Sequence, residues 1–391
     1  MIYLDYAATT PVRPEVTQAM TEALTAAWGN PSSNHLAGHT ARKGLDRARR
    51  QVGDLVGAPP EAVIFTSGGT EADNLAIRGV ARALAAKGRH LIISNIEHSA
   101  VRVTCRALAE DGFETTEVPV GPDGVLDPQA VAAALRPDTI LVSVMHVNNE
   151  IGTIQPIAEI AALARAHGVL MHTDAVQSAG KIPVSMEALG ADLLSISAHK
   201  IYGPKGAGAL IRRKGVPLAP VLTGGGHEHG FRAGTENVPG IVGFGVAAEL
   251  ARTELPARMQ HDAALGQLLR EALLAAVPGA TINADAGARW PGCVSLRVPG
   301  VDGAALMTAL DEAGLALSAG SACKAFKQET SHVIAALGLP NTEDSATLRL
   351  TVGAPTTRAE IAEAARIVGR AVEASTGKVA RWVNETLGAN P

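Results

Sequence analysis

Leu193-Leu194-Ser195-Ile196-Ser197-Ala198-His199-Lys200-Ile201-Tyr202-Gly203-Pro204-Lys205-Gly206 is the stretch on which the fold turns. Its apolar residues run on without strict alternation, as in a strand covered on both faces. The run stops at Ser-Ala-His-Lys, and Gly203 and Pro204 then force a turn. Working outward, short runs of the same kind occupy residues 62–66, 90–94, 140–144, 169–173 and 209–212. Between several of them lie helix-period segments at 71–87, 99–111, 128–135 and 157–167. This alternation predicts an α/β chain whose mostly parallel sheet is covered by helices. A long helix over 238–258 leaves that domain, and strands at 292–298 and 348–352 belong to a second unit. We therefore expect a large domain at 13–258 and a smaller α+β domain made of 1–12 and 259–391.

Composition narrows the function classes. The chain has 391 residues, 47% of them hydrophobic, enough for a core that needs no disulfide or metal staple. Its net charge of −4 gives no basic footprint for nucleic acid or an anionic membrane. The three cysteines, Cys105, Cys293 and Cys323, form neither a CxxC pair nor a zinc-type spacing. The start, Met1-Ile-Tyr-Leu-Asp-Tyr, lacks a basic segment followed by an apolar one, and no run is long enough to span a bilayer. A cytoplasmic protein with no structural metal is expected.

In such sheets chemistry gathers at the carboxyl ends of the strands. Three motifs sit there. In Phe65-Thr66-Ser67-Gly68-Gly69-Thr70-Glu71-Ala72-Asp73-Asn74 a strand ends, glycines turn the chain and a helix begins, which makes an anion site suited to phosphate. Val169-Leu170-Met171-His172-Thr173-Asp174-Ala175-Val176-Gln177 places a carboxylate at the end of an apolar strand, where it needs a cation. The protonated ring nitrogen of pyridoxal phosphate (PLP) is such a cation, and Asp174 would keep that ring an electron sink. Lys200 closes the third strand, with little acidic sequence around it to hold a proton on its amine, as a Schiff base requires. Ser197 and His199 are placed to donate to a phosphate. Taken singly, each motif has an ordinary alternative: a capped helix start, a turn aspartate, a solvated lysine. Their succession, each closing a strand, favours one shared site.

Further motifs carry a resemblance. They are Tyr3-Leu4-Asp5-Tyr6-Ala7-Ala8-Thr9-Thr10-Pro11, Gly29-Asn30-Pro31-Ser32-Ser33, Glu97-His98-Ser99-Ala100-Val101 and Met145-His146-Val147-Asn148-Asn149-Glu150-Ile151-Gly152. Arg232-Ala233-Gly234-Thr235-Glu236-Asn237 and Ser318-Ala319-Gly320-Ser321-Ala322-Cys323 complete the set. With them the sequence resembles the class V aminotransferase group of fold-type I PLP enzymes, and within it the cysteine desulfurases of the NifS/IscS type. The resemblance implies a seven-stranded-type sheet in the large domain and PLP as cofactor. It implies that Lys200 bonds the cofactor, that Asp174 pairs with its ring nitrogen and that Gln177 donates to its ring oxygen. Asn149 is implied near that oxygen and the substrate carboxylate. His98 is implied against the ring with a proton-transfer role. Gly69, Thr70, Ser197 and His199 are implied on the phosphate, which Thr235 would reach from the other subunit of a homodimer. Arg349 is implied as the substrate's carboxylate clamp, a task that suits a guanidinium.

Cys323 decides the substrate class. The small residues of 317–322 suit a loop that carries a nucleophile, whereas Cys105, on a helix, and Cys293, opening a strand, read as inert core residues. The implied reaction takes sulfur from L-cysteine, leaves L-alanine and makes a persulfide on Cys323. That persulfide then passes to a protein acceptor such as an iron–sulfur scaffold or a sulfur relay protein. Lys324 and Lys327 depart from the usual small and polar continuation, and nearby cations would favour the Cys323 thiolate. A selenocysteine lyase, a class V aminotransferase and a non-catalytic PLP-binding scaffold are the competing readings. His227 and His229, without further ligands, are a weak metal signal.

Overall fold

The computed structural model describes residues 1–319, 331–339 and 345–387, with side chains as far as Thr376 in the last helix. Cys323, Lys324 and Lys327 lie outside the described residues.

The apolar runs become the central sheet. Its strands are β2 (Val63–Thr66), β3 (His90–Ser94), β4 (Glu114–Val118), β5 (Thr139–Ser143), β6 (Leu170–Asp174), β7 (Leu193–Ser197) and β8 (Gly208–Arg212). They lie in the order β2-β8-β7-β6-β5-β3-β4, with β8 antiparallel to both neighbours and the other pairings parallel. Every residue of β2, β3, β5 and β7 is buried, because helices cover both faces. β4 escaped the sequence reading because its Glu-Thr-Thr-Glu-Val is polar and half-exposed, the habit of an edge strand.

Helices α3 (Gly69–Leu84), α4 (Ser99–Leu108), α5 (Pro128–Ala134), α6 (Ile157–Ala166) and α7 (Met186–Leu189) connect these strands. Helices α1 (Pro14–Thr25) and α2 (Leu36–Leu55) pack with α8 (Val238–Thr253) around Leu45, Phe244 and Ala248. The helix expected over 238–258 is divided. α8 stops at Thr253 and α9 (Leu255–Ala276) starts with Pro256 in its first turn. Proline lacks the N–H that a continuous helix needs and clashes with the carbonyl one turn earlier.

A second core gathers Leu4 with residues from Leu265 to Val372. Here β12 (Ser345–Thr351), β10 (Cys293–Pro299) and β9 (Thr281–Ile282) form an antiparallel sheet, and β1 (Ile2–Tyr3) pairs in parallel with β11 (Leu315–Ala316). α10 (Gly303–Glu312), α11 (His332–Ala336) and α12 (Arg358–Leu387) complete the described elements. Among the described residues no helix is long and apolar enough to cross a membrane.

Candidate active site

Strand register brings the motifs to one edge. Thr66 on β2 lies opposite Gly208, and Gly208 opposite Ser197 on β7. Asp174 on β6 lies opposite Ser195. A side chain at Gly208 would place its Cβ 2.6 Å from the backbone of Gly68, so this glycine lets the start of α3 close over the strand ends. The chain leaving β5 is tied in where His146 N donates to Asp174 O at 2.9 Å.

Asp174 is buried, and its Oδ1 accepts from Val176 N at 2.9 Å. Burial pushes its carboxyl up, while His98 and Lys200 pull it back toward the charged form. His98, whose Nδ1 accepts from Ala100 N at the start of α4, is shifted the other way. Burial lowers it first, and the Lys200 charge lowers it further against Asp174. The three groups thus feel one another across the site. The Lys200 amine donates to the carbonyls of Ala7 at 2.6 Å and Ala8 at 2.7 Å, inside the Tyr3–Pro11 motif. Gln177 Nε2 reaches the same Ala7 oxygen at 2.7 Å.

The phosphate expectation can be tested on polar groups. α3 begins at Gly68 without a side-chain cap, so its first N–H groups lack the partner that a serine or aspartate gives most helices. A Cβ on Gly69 would lie 2.7 Å from Val176 and 3.7 Å from the Cβ of Ser197. The Ser197 hydroxyl is buried there and finds no partner among the described residues. An uncapped helix start beside an unpartnered hydroxyl fits a phosphate, and a buried carboxylate that burial pushes up fits a cationic ring nitrogen. The residues present fit PLP. His199 contributes a neutral ring, since burial holds it down to about 4 with the help of Lys200, Lys205 and Lys181. Its Nδ1 lies 3.1 Å from Thr9 Oγ1.

Arg349, on β12, is 2% exposed and already engaged. Its Nη1 donates to Asn149 O at 2.8 Å and its Nη2 to Asp5 Oδ1 at 2.7 Å, while Nε finds no partner among the described residues. The structure thus joins Asn149 and Arg349 through a main-chain carbonyl. Asn148 is instead structural, its side chain fixed on Ile96 O and on the N–H groups of Glu150 and Ile151. Thr235 is exposed and makes no side-chain hydrogen bond among the described residues. Its loop is tied to the first turn of α3 where Arg232 meets Glu71 at 2.8 Å. Burial pushes the Cys105 thiol up to about 12 and the Cys293 thiol up to about 11, which makes both poor nucleophiles.

Sequence reasoning missed several polar residues of this region. Asp5 was quoted within a motif but given no role. Glu97, next to His98, is fully buried, meets Ser94 Oγ and accepts from Met145 N on both carboxylate oxygens at 3.0 Å. Burial pushes it up to about 8. His172, two residues before Asp174, is buried between Ser143 Oγ at 2.8 Å and Ser195 Oγ at 3.0 Å. Polar residues inside apolar strands were the available signal for His172, and position beside His98 for Glu97. A larger cleft of ≈ 870 Å³, lined by Asp123, Asp127, Glu159 and Asp285 among others, contains none of the expected residues. Among the described residues no group of three metal-ligating side chains comes together.

Known proteins share both the sequence and this fold. The family described as aminotransferase class-V matches residues 2–363. The chain is 44% identical over 372 residues to the cysteine desulfurase IscS of Dictyoglomus turgidum, covering 95% of this chain and 94% of that protein. It is 48% identical over 376 residues to the cysteine desulfurase IscS of Azotobacter vinelandii, covering 95% and 92%. A solved structure described as a NifS-like protein superposes with a TM-score of 0.89 at 35% identity, over 95% of this chain and 99% of that one. Another, described as SspA in complex with cysteine, gives 0.80 at 35% identity over 90% and 99%. With its strand-end motifs meeting at one edge and the match running through nearly its whole length, the chain belongs to the class-V aminotransferase family.

Proposed function

We propose that the protein is a PLP-dependent cysteine desulfurase that takes sulfur from L-cysteine, releases L-alanine and carries the sulfur as a persulfide on Cys323. The observation that carries this reading is the meeting of Lys200, Asp174 and the unpartnered Ser197 hydroxyl at one sheet edge. It occurs in a chain 48% identical to a cysteine desulfurase. PLP, when bound, supplies the electron sink for the pair left on the substrate's α-carbon.

The chain's own residues do the rest. Lys200 would hold the cofactor covalently, and its amine, once displaced by cysteine, takes the α-proton. Asp174 keeps a negative charge at the ring nitrogen, and Gln177 and Asn149 serve the ring oxygen. The phosphate falls to Gly69, Thr70, Ser197 and His199, with Thr235 reaching it from the second subunit of a homodimer. The exposure of Thr235, on a loop tied to the α3 start, supports that sharing. His98, which burial keeps neutral, accepts or returns a proton at the substrate. Arg349 takes the cysteine carboxylate. The Cys323 thiolate then attacks the substrate sulfur, so that an S–S bond forms and the C–S bond breaks. The released electron pair passes to the carbon that becomes the methyl of alanine after protonation.

A protein acceptor, an iron–sulfur scaffold or a sulfur relay protein, takes the persulfide sulfur onward. The division into a large domain at 13–258 and a small one at 1–12 and 259–391 is supported by Leu4 sharing a core with residues from Leu265 onward. The test is release of alanine and sulfide from L-cysteine with a thiol reductant, compared with Cys323→Ala. Equal yields of both products, lost in a variant that keeps its PLP absorbance, are expected. No alanine from PLP-loaded wild-type protein would overturn the reading.

A further inference from the structure

Lys181 is a buried cation that none of these roles uses. Gly180, with φ at +74°, turns the chain just before it. A Cβ there would lie 2.8 Å from Ile201 and 2.9 Å from Ala251, so the turn is pressed between the Lys200 segment and α8. Lys181 consequently points inward, 7% exposed. Its Nζ sits 4.3 Å from the centroid of the Trp290 ring and donates to Gln177 Oε1 at 2.6 Å. Burial pushes the amine down to about 7; Lys200 and Arg349 lower it further, and Asp262 and Cys293 raise it. Asp262 is itself fixed by the Trp290 indole N–H at 2.9 Å.

A glutamine amide has one acceptor end and one donor end. Lys181 donates to Oε1 in either protonation state, more strongly as the ammonium, so Gln177 must turn Nε2 away from it. That Nε2 donates to Ala7 O, the carbonyl that also takes the Lys200 amine. The donor end of the amide is thereby delivered beside Lys200. A flipped amide would present an oxygen there instead. A closed cavity of ≈ 20 Å³, lined by Lys181, Lys200, Tyr202, Arg258 and Asp262 among others, joins the two lysines. It has room for about one water.

We propose that Lys181 is a positioning residue for the cofactor site: by occupying Gln177 Oε1 it holds the amide with Nε2 on the Lys200 side, available as a donor to the ring oxygen of PLP. The proposal rests on the PLP reading above.

The test is a pH titration of the visible absorbance of the PLP-loaded protein, which reads the chromophore rather than turnover. A donor to the ring oxygen favours its anionic form, so losing the donor makes that oxygen more basic. Gln177→Leu and Lys181→Met are each expected to raise the midpoint by roughly 1 pH unit. Lys181→Gln, which keeps a neutral donor, is expected to titrate as wild type. A midpoint unmoved in Lys181→Met, with absorbance intact, overturns the proposal. So does a rise in Lys181→Gln equal to that in Lys181→Met, because charge rather than amide orientation would then be at work. If Lys181→Met does not fold, Lys181→Gln is set against Gln177→Leu: a wild-type midpoint supports the proposal and a shared rise overturns it. Wild-type protein that gains no visible absorbance with PLP overturns the cofactor reading itself, a separate result visible before any variant is made.

Discussion

Two arginines, Arg49 and Arg349, lie buried in this chain and are held in opposite ways. Arg49, on α2, is closed at both ends of its guanidinium: Nη1 meets Glu228 Oε2 and Nη2 meets Glu228 Oε1, each at 2.7 Å. Nη1 also donates to Val63 O, the Phe65 ring lies 4.7 Å below, and Glu228 Oε2 accepts from Phe65 N at 2.8 Å. Arg349 spreads its contacts instead, one nitrogen on Asp5, one on a main-chain oxygen, and Nε on none among the described residues. Asp5 in turn shares its other oxygen with Ser318 Oγ at 2.8 Å. A two-pronged pair saturated on both sides has nothing left to bind. A pair made through one prong, with a carboxylate that can fall back on a serine, can exchange that carboxylate for the one on a substrate. The first arrangement is structural, and the second suits a clamp that must open and close.

The largest effect expected from this contrast is on stability at Glu228. Glu228→Ala leaves the Arg49 charge buried without a partner, at a cost of about 3–5 kcal/mol. The same change releases Glu228 and His229 from left-handed backbone (φ 44° and 57°), which the pair helps to hold. Urea unfolding of the variant should show the loss. The double variant Arg49→Met with Glu228→Leu should recover much of it, since replacing both charges removes the stranded one. A double variant no more stable than Glu228→Ala would mean that loop strain, not the bare charge, dominates.

At Arg349 the effect should fall on turnover. Arg349→Met is expected to lower kcat/KM for L-cysteine by roughly 100-fold, since truncating one side of a buried charge pair with a ligand commonly costs about 3 kcal/mol. PLP absorbance should survive, because Arg349 takes no part in the cofactor contacts proposed here. The measurement is the rate of alanine formation against substrate concentration. A change below about threefold, with a large loss in urea midpoint, would place Arg349 in the same structural class as Arg49 and break the comparison.

The contrast also shows where sequence reading works and where it stops. The parallel sheet was legible because buried strands are apolar on both faces, and the Lys200, Asp174 and Gly69 motifs because each interrupts such a strand at its end. β4 was lost because an edge strand carries polar residues, and the break between α8 and α9 because apolar periodicity ran through Pro256. Arg349 was singled out, but its partner Asp5 lies 344 residues away in sequence, and no local pattern reports such a contact. Arg49 and Glu228, 179 residues apart, gave no signal at all for the same reason. Lys181 sits one helical turn from Gln177, yet its role depends on Trp290 and on the cavity shared with Lys200. Chemistry written in strand ends was readable; chemistry made by long-range pairing was not.

The smallest expected effect sharpens the comparison through pH. Two histidines beside Asp174 are held below their ordinary range by burial: His146 down to about 4 and His172 down to about 3, from 6.5. Both are therefore neutral in the folded chain near neutrality. On unfolding below pH 6.5 they take up protons that the folded chain refuses. The unfolded state then binds more protons, so stability rises with pH through this window and is lost as pH falls toward 4. Each histidine should contribute up to about 1 kcal/mol per pH unit there. His172→Gln keeps a polar group between Ser143 and Ser195 but cannot titrate, so its urea midpoint should fall less steeply than that of wild type between pH 6.5 and 5. The Glu228 and Arg49 variants change no histidine and should keep the wild-type slope while starting from a lower midpoint. Parallel slopes for His172→Gln and wild type would show that His172 stays neutral in both states, and that the acid sensitivity of this side of the sheet lies with His146 or with groups further from Asp174.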